Sequence, residues 1–321
     1  MKRPWALPLV PLYAAGAALR GIGMTPKRLA WPVISVGSLS AGGAGKTPFV
    51  IALAQLLKRE GFQIDVLSRG YGRIQTSVEQ VDPEGDAERF GDEPLLIARE
   101  VRVPVFVGSQ RFEAGRLAEQ EAQTGVQTGV HLLDDGFQHR QLARDTDIVL
   151  VSSEDLADWL LPAGNLRERR SALQRADVLA VPAGDDSAVE RLQAMRLEQP
   201  VWRFLREMVV PKVEEPVYAF CGIARSEQFF SGLERAGMTL VAKKAFPDHY
   251  QYRASDVRTL EQFADRMGAS GGLITTDKDR VRMGVLGERL AQMVPVNTAG
   301  LRVVFEDEAG VAAWLKVRLH C

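Results

Sequence analysis

Two short stretches carry the residue types that phosphate chemistry needs. Gly45-Lys46-Thr47 lies within "SAGGAGKTPF" (residues 40–49), and Asp134-Asp135 lies within "HLLDDGFQH" (residues 131–139). A glycine-rich turn ending in Lys and a hydroxyl residue can turn backbone N–H groups onto phosphate oxygens. It also places a cation at the β- and γ-phosphates and offers a hydroxyl to Mg²⁺. An acidic pair at the end of an apolar strand can hold that Mg²⁺ directly or through water. The loop departs from G-x-x-x-x-G-K-[ST] at its opening position, which is Ser40. Three later glycines can still close it, so the nucleotide cradle is read as Ser40, Ala41, Gly42, Gly43, Ala44, Gly45, Lys46 and Thr47. Blander readings exist for both stretches: a glycine-rich turn with an incidental Lys-Thr, and aspartates that merely cap a helix. The two motifs together favour the chemical reading, and they make phosphate contact the better role for His139.

The elements that must position these residues are legible around them. "WPVISVGSLS" puts the apolar run Val33, Ile34, Val36 ahead of the loop, as in a buried parallel strand. After the loop, Val50, Leu53, Ala54 and Leu57 follow helical spacing, with Gly61 as a stop. Strand, loop and helix is the context a phosphate loop needs, because the helix N-terminus adds partial positive charge. Further short apolar runs at 65–70, 103–108, 130–136, 147–152 and 177–182 alternate with helical segments. That alternation predicts a doubly wound, mostly parallel α/β sheet whose ligands bind beyond the strands' carboxyl ends.

With 321 residues, 46% hydrophobic and 25% charged, the chain has ordinary globular composition and room for one large or two modest domains. A formal net charge of -1 gives no global field to recruit nucleic acid. Cys221 and Cys321 form no metal-spaced cluster, which fits a reducing compartment. The anomaly is "PWALPLVPLYAAGAAL" (4–19), uncharged and bracketed by Lys2, Arg3 and Arg20. It is short for a transmembrane helix and interrupted by Pro8 and Pro11. A signal peptide and a helix lying in the membrane interface both remain open on this segment alone. A nucleotide loop favours the second, since ATP is cytoplasmic. Prolines at 200, 211 and 216 suggest a boundary, giving three parts: an interface helix (1–25), a phosphate-loop domain (26–211) and a smaller α/β domain (212–321).

"SVGSLSAGGAGKTP", "LSRGYGR", "GDEP", "LLDDGFQHRQLARD", "LLPAGNLRE", "FCGIA", "FPDHY" and "TTDKD" follow one another in this order. Over nearly its whole length the chain resembles the tetraacyldisaccharide 4'-kinases of Gram-negative lipid A synthesis, a family in which the opening glycine is likewise missing. The resemblance implies transfer of ATP's γ-phosphoryl to the 4'-hydroxyl of an acylated glucosamine disaccharide 1-phosphate, with Mg²⁺. It places the enzyme peripherally on the cytoplasmic face of the inner membrane and says nothing of protein partners. It also implies roles. Lys46 neutralises γ-phosphate charge. Thr47, Asp134, Asp135 and Glu168 are candidates for Mg²⁺. His139 and Arg167 contact the reacting phosphate or the acceptor. Asp92 is the base and His249 its partner; on sequence alone Asp92 would read as a helix cap. Arg69, Tyr71 and Arg73 are candidate contacts for the lipid phosphate or sugar. The chain departs from the family at Asn165 and Arg169, where prolines are usual.

Two other classes compete. A partner-regulated ATPase switch would carry a signature lysine where this loop has Ala41. A GTPase would need [NT]-K-x-D, and "TTDKD" (275–279) has the letters in the wrong order.

Overall fold

The computed structural model describes residues 2–19, 23, 25–42, 45–122 and 129–319. Its twelve strands are β1 (Val33–Ser38), β2 (Ile64–Ser68), β3 (Glu79–Gln80), β4 (Val105–Val107), β5 (Val130–Asp134), β6 (Thr146–Leu150), β7 (Val178–Pro182), β8 (Val201–Val209), β9 (Val217–Cys221), β10 (Leu240–Ala245), β11 (Leu273–Thr276) and β12 (Val296–Phe305). The helices are α1 (Val10–Leu19), α2 (Lys46–Arg59), α3 (Ala87–Phe90), α4 (Asp92–Val101), α5 (Arg111–Glu121), α6 (Ser153–Ala157), α7 (Asp186–Ala194), α8 (Ser226–Arg235), α9 (Ala254–Arg266), α10 (Asp277–Met283), α11 (Val285–Met293) and α12 (Glu308–Arg318). The strands run β10-β9-β11-β12-β8-β7-β6-β1-β5-β2-β4-β3 in one sheet. All pairings are parallel except β8 with β12 and β3 with β4.

The short apolar runs became buried strands because helices cover both faces, so every side chain meets a core. Phe49, Val50, Leu53, Leu56 and Leu57 of α2 are buried against this sheet with Ile34, Val36 and Leu132. β1 lies between β5 and β6, so the chain crosses it in passing from one to the other. The carboxyl end of β1 is therefore the crevice where such sheets bind ligands.

The C-terminal part has cores of its own, around Phe220 and Tyr252 on one face and Phe229, Phe230 and Ile274 on the other. It is not a separate sheet, because β12 joins the two halves. Its first residues pair with β11 (Leu273↔Val296) and its last with β8 (Phe305↔Phe204). Val303, Phe305, Val311, Ala312 and Leu315 then pack with the first core. The segment assigned to the smaller domain (212–321) thus returns to the phosphate-loop half after about residue 299.

At the opposite end of the sheet from the loop, His131 is buried between Asp65 (2.8 Å) and Glu119 (3.3 Å) and stacked on Trp31. Asp65 and His131 are register partners on β2 and β5, so this ion cluster fixes the pairing rather than facing a ligand. The N-terminus is a 3₁₀ turn (Pro4–Leu9) followed by α1. It is tied down by Arg3 N–H to the Ala163 carbonyl (2.6 Å), Arg3 Nη1 to Pro162 and Tyr13 Oη to the Arg167 carbonyl (3.2 Å). Between those ties, Trp5 is 78% exposed and Leu12 75%. Among the described residues no helix is long and apolar enough to cross a membrane.

Candidate active site

The cleft at the end of β1 has a volume of about 1690 Å³, larger than the few hundred to ~1000 Å³ typical of a single small-ligand pocket. Residues from both halves of the chain line it, among them Lys46, Thr47, Asp134, His139, Arg167, Glu168, Arg206, His249 and Lys278.

Its floor is the loop. Gly45 adopts φ 74° and leads directly into α2 with no side-chain cap, so the first N–H groups of that 14-residue helix stay available to an anion. The other left-handed residue among those described in this loop is Gly42 (φ 76°). Ser40 is not left-handed, which removes the need for a glycine at the opening position. What Ser40 contributes is its carbonyl, which accepts hydrogen bonds from Arg167 Nε (3.2 Å) and Nη2 (3.0 Å). The backbone of residues 39–41 is further fastened to 165–167 through Arg167 N–H to Leu39 O (2.7 Å) and Ala41 N–H to Asn165 O (2.8 Å). Asn165 is itself held by Asp158 (Nδ2–Oδ2 2.9 Å), so a hydrogen bond fixes this loop. Gly43 and Ala44, assigned to the cradle above, lie outside the described residues.

Lys46 Nζ lies 3.5 Å from Asp135 and 3.4 Å from Ser38 Oγ. Asp135 stands at φ 50°, a strained value for a non-glycine residue. It accepts both arms of Arg167 at 2.9 Å. Burial opposes its charge, but Lys46 and Arg167 prevail and hold the carboxyl below its usual range. Asp134 is the contrast. It is 3% exposed, and Ser68 donates to one oxygen (3.1 Å). Its Oδ1 is buried with no hydrogen-bond partner among the described residues. Burial, then the charges of Glu93 and Asp135, push its carboxyl up to about 7. A buried carboxylate oxygen left unpaired calls for a cation. No cluster of three or more His, Cys, Asp or Glu able to hold a metal occurs among the described residues. Mg²⁺ at a nucleotide does not need one, since it takes one or two protein ligands beside phosphate and water. Asp134, which lines the same cleft as Thr47, fits that requirement.

Two expected metal ligands are engaged by cationic side chains in this structure. Glu168 has both oxygens engaged by Arg140 (2.7 Å) and Arg175 (3.0 and 3.1 Å). Asp135 is likewise occupied by Arg167 and Lys46 and acts as the hub that holds these two cations. Arg167 therefore reaches the site through Asp135 and Ser40 and, in this arrangement, is not free to meet a phosphate. Arg73 is also withdrawn, because its guanidinium is bound to Glu79 and the Ser77 carbonyl within its own loop. Arg69 and Tyr71 do line the cleft.

His139 is on the wall as expected. Burial and then the charges of Arg111, Arg144 and Arg69 push its imidazole down to about 4, so it is neutral at pH 7. Arg111 is a residue the sequence reading missed. It opens α5, is 6% exposed and lines the cleft with its Nε unpartnered among the described residues. Burial and Arg69 lower it to about 10. Nothing in "GSQRFEAG" marks it; only the fold carries it to the phosphate end of the cleft.

Across the cleft, Asp92 begins α4 and His249 sits at φ 55° in the loop after β10. His249 Nδ1 is 3.5 Å from Asp92 Oδ2. The structure thus brings together the pair named from sequence, but with a correction to which one is presented. His249 faces the cleft and stacks edge-on with Tyr71 (5.4 Å), whereas Asp92 is 5% exposed behind it. Asp92 also bonds Arg282 of α10. Burial opposes its charge, but His249 and Arg282 outweigh that and hold it far below the usual carboxylate range. The bond to Asp92 raises the His249 imidazole.

The family model described as Tetraacyldisaccharide-1-P 4'-kinase matches residues 3–320. A curated "Tetraacyldisaccharide 4'-kinase" of Koribacter versatilis is 42% identical over 304 residues, covering 90% of this chain and 92% of the relative. One of Nitrobacter hamburgensis is 37% identical over 323 residues, covering 98% and 93%. Among solved structures, LpxK from Aquifex aeolicus, crystallised in complex with ATP, superposes with TM-score 0.76 at 31% identity over 98% of both chains.

Proposed function

The chain belongs to the tetraacyldisaccharide-1-P 4'-kinase family, and on that premise we propose how its own residues divide the reaction. It is an ATP-dependent kinase of lipid A synthesis, phosphorylating the 4'-hydroxyl of an acylated glucosamine disaccharide 1-phosphate. The observation that carries the division is the pairing of a phosphate loop and an unsatisfied Asp134 on one wall with the Asp92–His249 pair on the other.

On the floor, the α2 N-terminus and Lys46 bind the β- and γ-phosphates, and Asp135 with Arg167 keeps Lys46 and the loop mouth in place. Thr47 and Asp134 would hold Mg²⁺, which supplies charge neutralisation on the transferred phosphoryl group. Arg111 and Arg69 add positive charge at the same end. Neutral His139 can donate a hydrogen bond to a phosphate oxygen without bringing a second full charge among these arginines. On the other wall, the Asp92–His249 pair takes the proton of the attacking hydroxyl, with His249 presented to the acceptor and Asp92 held ionised behind it. Asp92 and His249 belong to opposite halves of the chain yet already stand 3.5 Å apart, so the pair is assembled before substrates bind.

Membrane attachment is part of the same proposal. Trp5, Leu7, Leu9 and Leu12 are exposed on an N-terminal segment whose Tyr13 and Ala17 reach the cleft rim. Inserted at headgroup depth on the cytoplasmic face of the inner membrane, this segment presents the cleft to a disaccharide whose acyl chains stay in the bilayer. The test is direct: purified protein with Mg²⁺ and γ-labelled ATP should transfer label to the 4'-position of tetraacyldisaccharide 1-phosphate. ATP turnover indifferent to the lipid, with no labelled lipid, would refute it.

A further inference from the structure

We propose that Arg282 is the positioning residue of the Asp92–His249 pair, one guanidinium that fixes both members from behind. The inference rests on the reading of that pair given above and names the group it depends on.

Arg282 lies on α10, with its side chain 3% exposed. Its Nη2 donates to Asp92 Oδ2, across 190 residues of sequence. Its Nη1 donates to the Gly222 carbonyl (2.9 Å) and to Asp279 Oδ1 (3.1 Å). The Gly222 carbonyl also accepts the backbone N–H of His249 (3.2 Å), the residue held at φ 55°. The same side chain therefore grips the carboxylate of one partner and the carbonyl that anchors the backbone of the other.

The anchor is rigid. Asp279 is fully buried and accepts from Gly222 N–H (3.0 Å), Tyr252 Oη (2.9 Å) and Thr276 Oγ1 (2.6 Å) as well as from Arg282. One turn earlier on the same face of α10, Lys278 bonds Glu93, the neighbour of Asp92. Two cations on α10 thus meet two consecutive carboxylates at the start of α4. A planar fork can serve Asp92, Gly222 and Asp279 at once, whereas an ammonium is a point charge that can serve only part of that set.

The experiment uses the full chain, with kcat and KM for ATP measured on the lipid acceptor. Variants are Arg282→Gln and Arg282→Lys, each alone and combined with Asp92→Ala. Arg282→Gln should lower kcat by about tenfold or more while KM for ATP stays within about twofold, and Arg282→Lys should recover part of the loss. If Arg282 acts through Asp92, adding Arg282→Gln to Asp92→Ala should cost less than about twofold further, since residues acting as a unit are non-additive. Full multiplication of the two losses, a near-parent kcat for Arg282→Gln, or a loss confined to KM for ATP would overturn the proposal. Should Arg282→Gln fail to give a cooperative melt, Arg282→Lys carries the same cycle. Near-parent activity in Asp92→Ala itself would instead overturn the reading of the pair.

Discussion

Asp134 on the cleft floor and Asp92 at the seam between α4 and α10 are both buried carboxylates, 3% and 5% exposed, yet their surroundings push them in opposite directions. Asp134 has a serine, two acidic neighbours and an oxygen with no partner among the described residues, and burial drives it up to about 7. Asp92 has an arginine and a histidine and stays ionised well below the usual range. The difference shows which half is complete before substrate arrives. On the floor Lys46 and Arg167 are drawn to Asp135, and the Asp134 oxygen without a partner among the described residues is the group Mg²⁺ would engage, whereas Asp92 at the seam is already satisfied by protein groups.

The largest expected effect lies at the seam. Asp92→Ala should slow phosphoryl transfer by roughly 10²–10⁴-fold, the usual worth of a positioned proton acceptor. His249→Ala added to it should cost little more, because the two act as one group. Multiplicative losses in steady-state kinetics would break the pair. Lys46→Ala comes next, with transfer falling by about 10²–10³-fold, as for loss of one preorganised group at a developing charge. Unlike Asp92→Ala, it should also weaken ATP binding, measured by calorimetry.

The contrast in ionisation gives a smaller effect with a definite sign. Asp134 in the folded state binds its proton more tightly than an ordinary aspartate of an unfolded chain, which titrates near 3.8. Between about pH 4 and 7 the native state therefore holds the extra proton, and stability from this group falls as pH rises through that window. Asp92 acts in the opposite sense, but only below about pH 4, where its unfolded carboxyl would protonate. In thermal melts without nucleotide, Asp134→Asn should flatten the decline in Tm from pH 5 to pH 8. With Mg-ATP, the parent should gain more Tm at pH 8 than at pH 6, and Asp134→Asn should lose that difference. An unchanged pH slope in the variant would contradict the assignment.

The smallest effect on chemistry belongs to the N-terminal segment proposed to meet the membrane. Trp5→Glu with Leu12→Glu leaves the Arg3 and Tyr13 ties intact. Each large side chain kept out of the bilayer forfeits up to roughly 1.5–3 kcal/mol of burial. The double variant should sediment less with anionic vesicles and show a raised KM for lipid, with ATP affinity unchanged. Undiminished sedimentation would remove this segment from membrane binding.

The same comparison explains what was legible in the sequence. The floor is local: strand, loop and helix adjoin in the chain, and the runs at 65–70, 103–108, 130–136, 147–152 and 177–182 coincide with β2, β4, β5, β6 and β7. Ser40 looked anomalous only because a motif records side chains, whereas the loop uses the Ser40 carbonyl. The seam is not local. Asp92 and His249 were found through the family resemblance, and on sequence alone Asp92 would have remained a helix cap. Arg282 and Lys278 sat within or beside "TTDKD" with nothing to mark them, since their meaning comes from contacts 190 and 185 residues away. Glu168, expected at Mg²⁺, and Arg73, expected at the lipid phosphate or sugar, are instead paired with neighbouring charges in this structure, which their local sequence does not show. The prolines near 200–216, read as a domain boundary, lie on either side of β8 (Val201–Val209). They could not show that β12 returns the chain to the first core, because antiparallel pairing between distant strands leaves no local pattern.

The central claim is that the floor binds nucleotide independently of the seam that transfers its phosphoryl group. Calorimetric titration of Mg-ATP into folded Asp92→Ala protein tests it most directly. A Kd within about twofold of the parent, in a protein that has lost transfer to the lipid, is the predicted result. A Kd weakened in proportion to the lost activity would contradict the division.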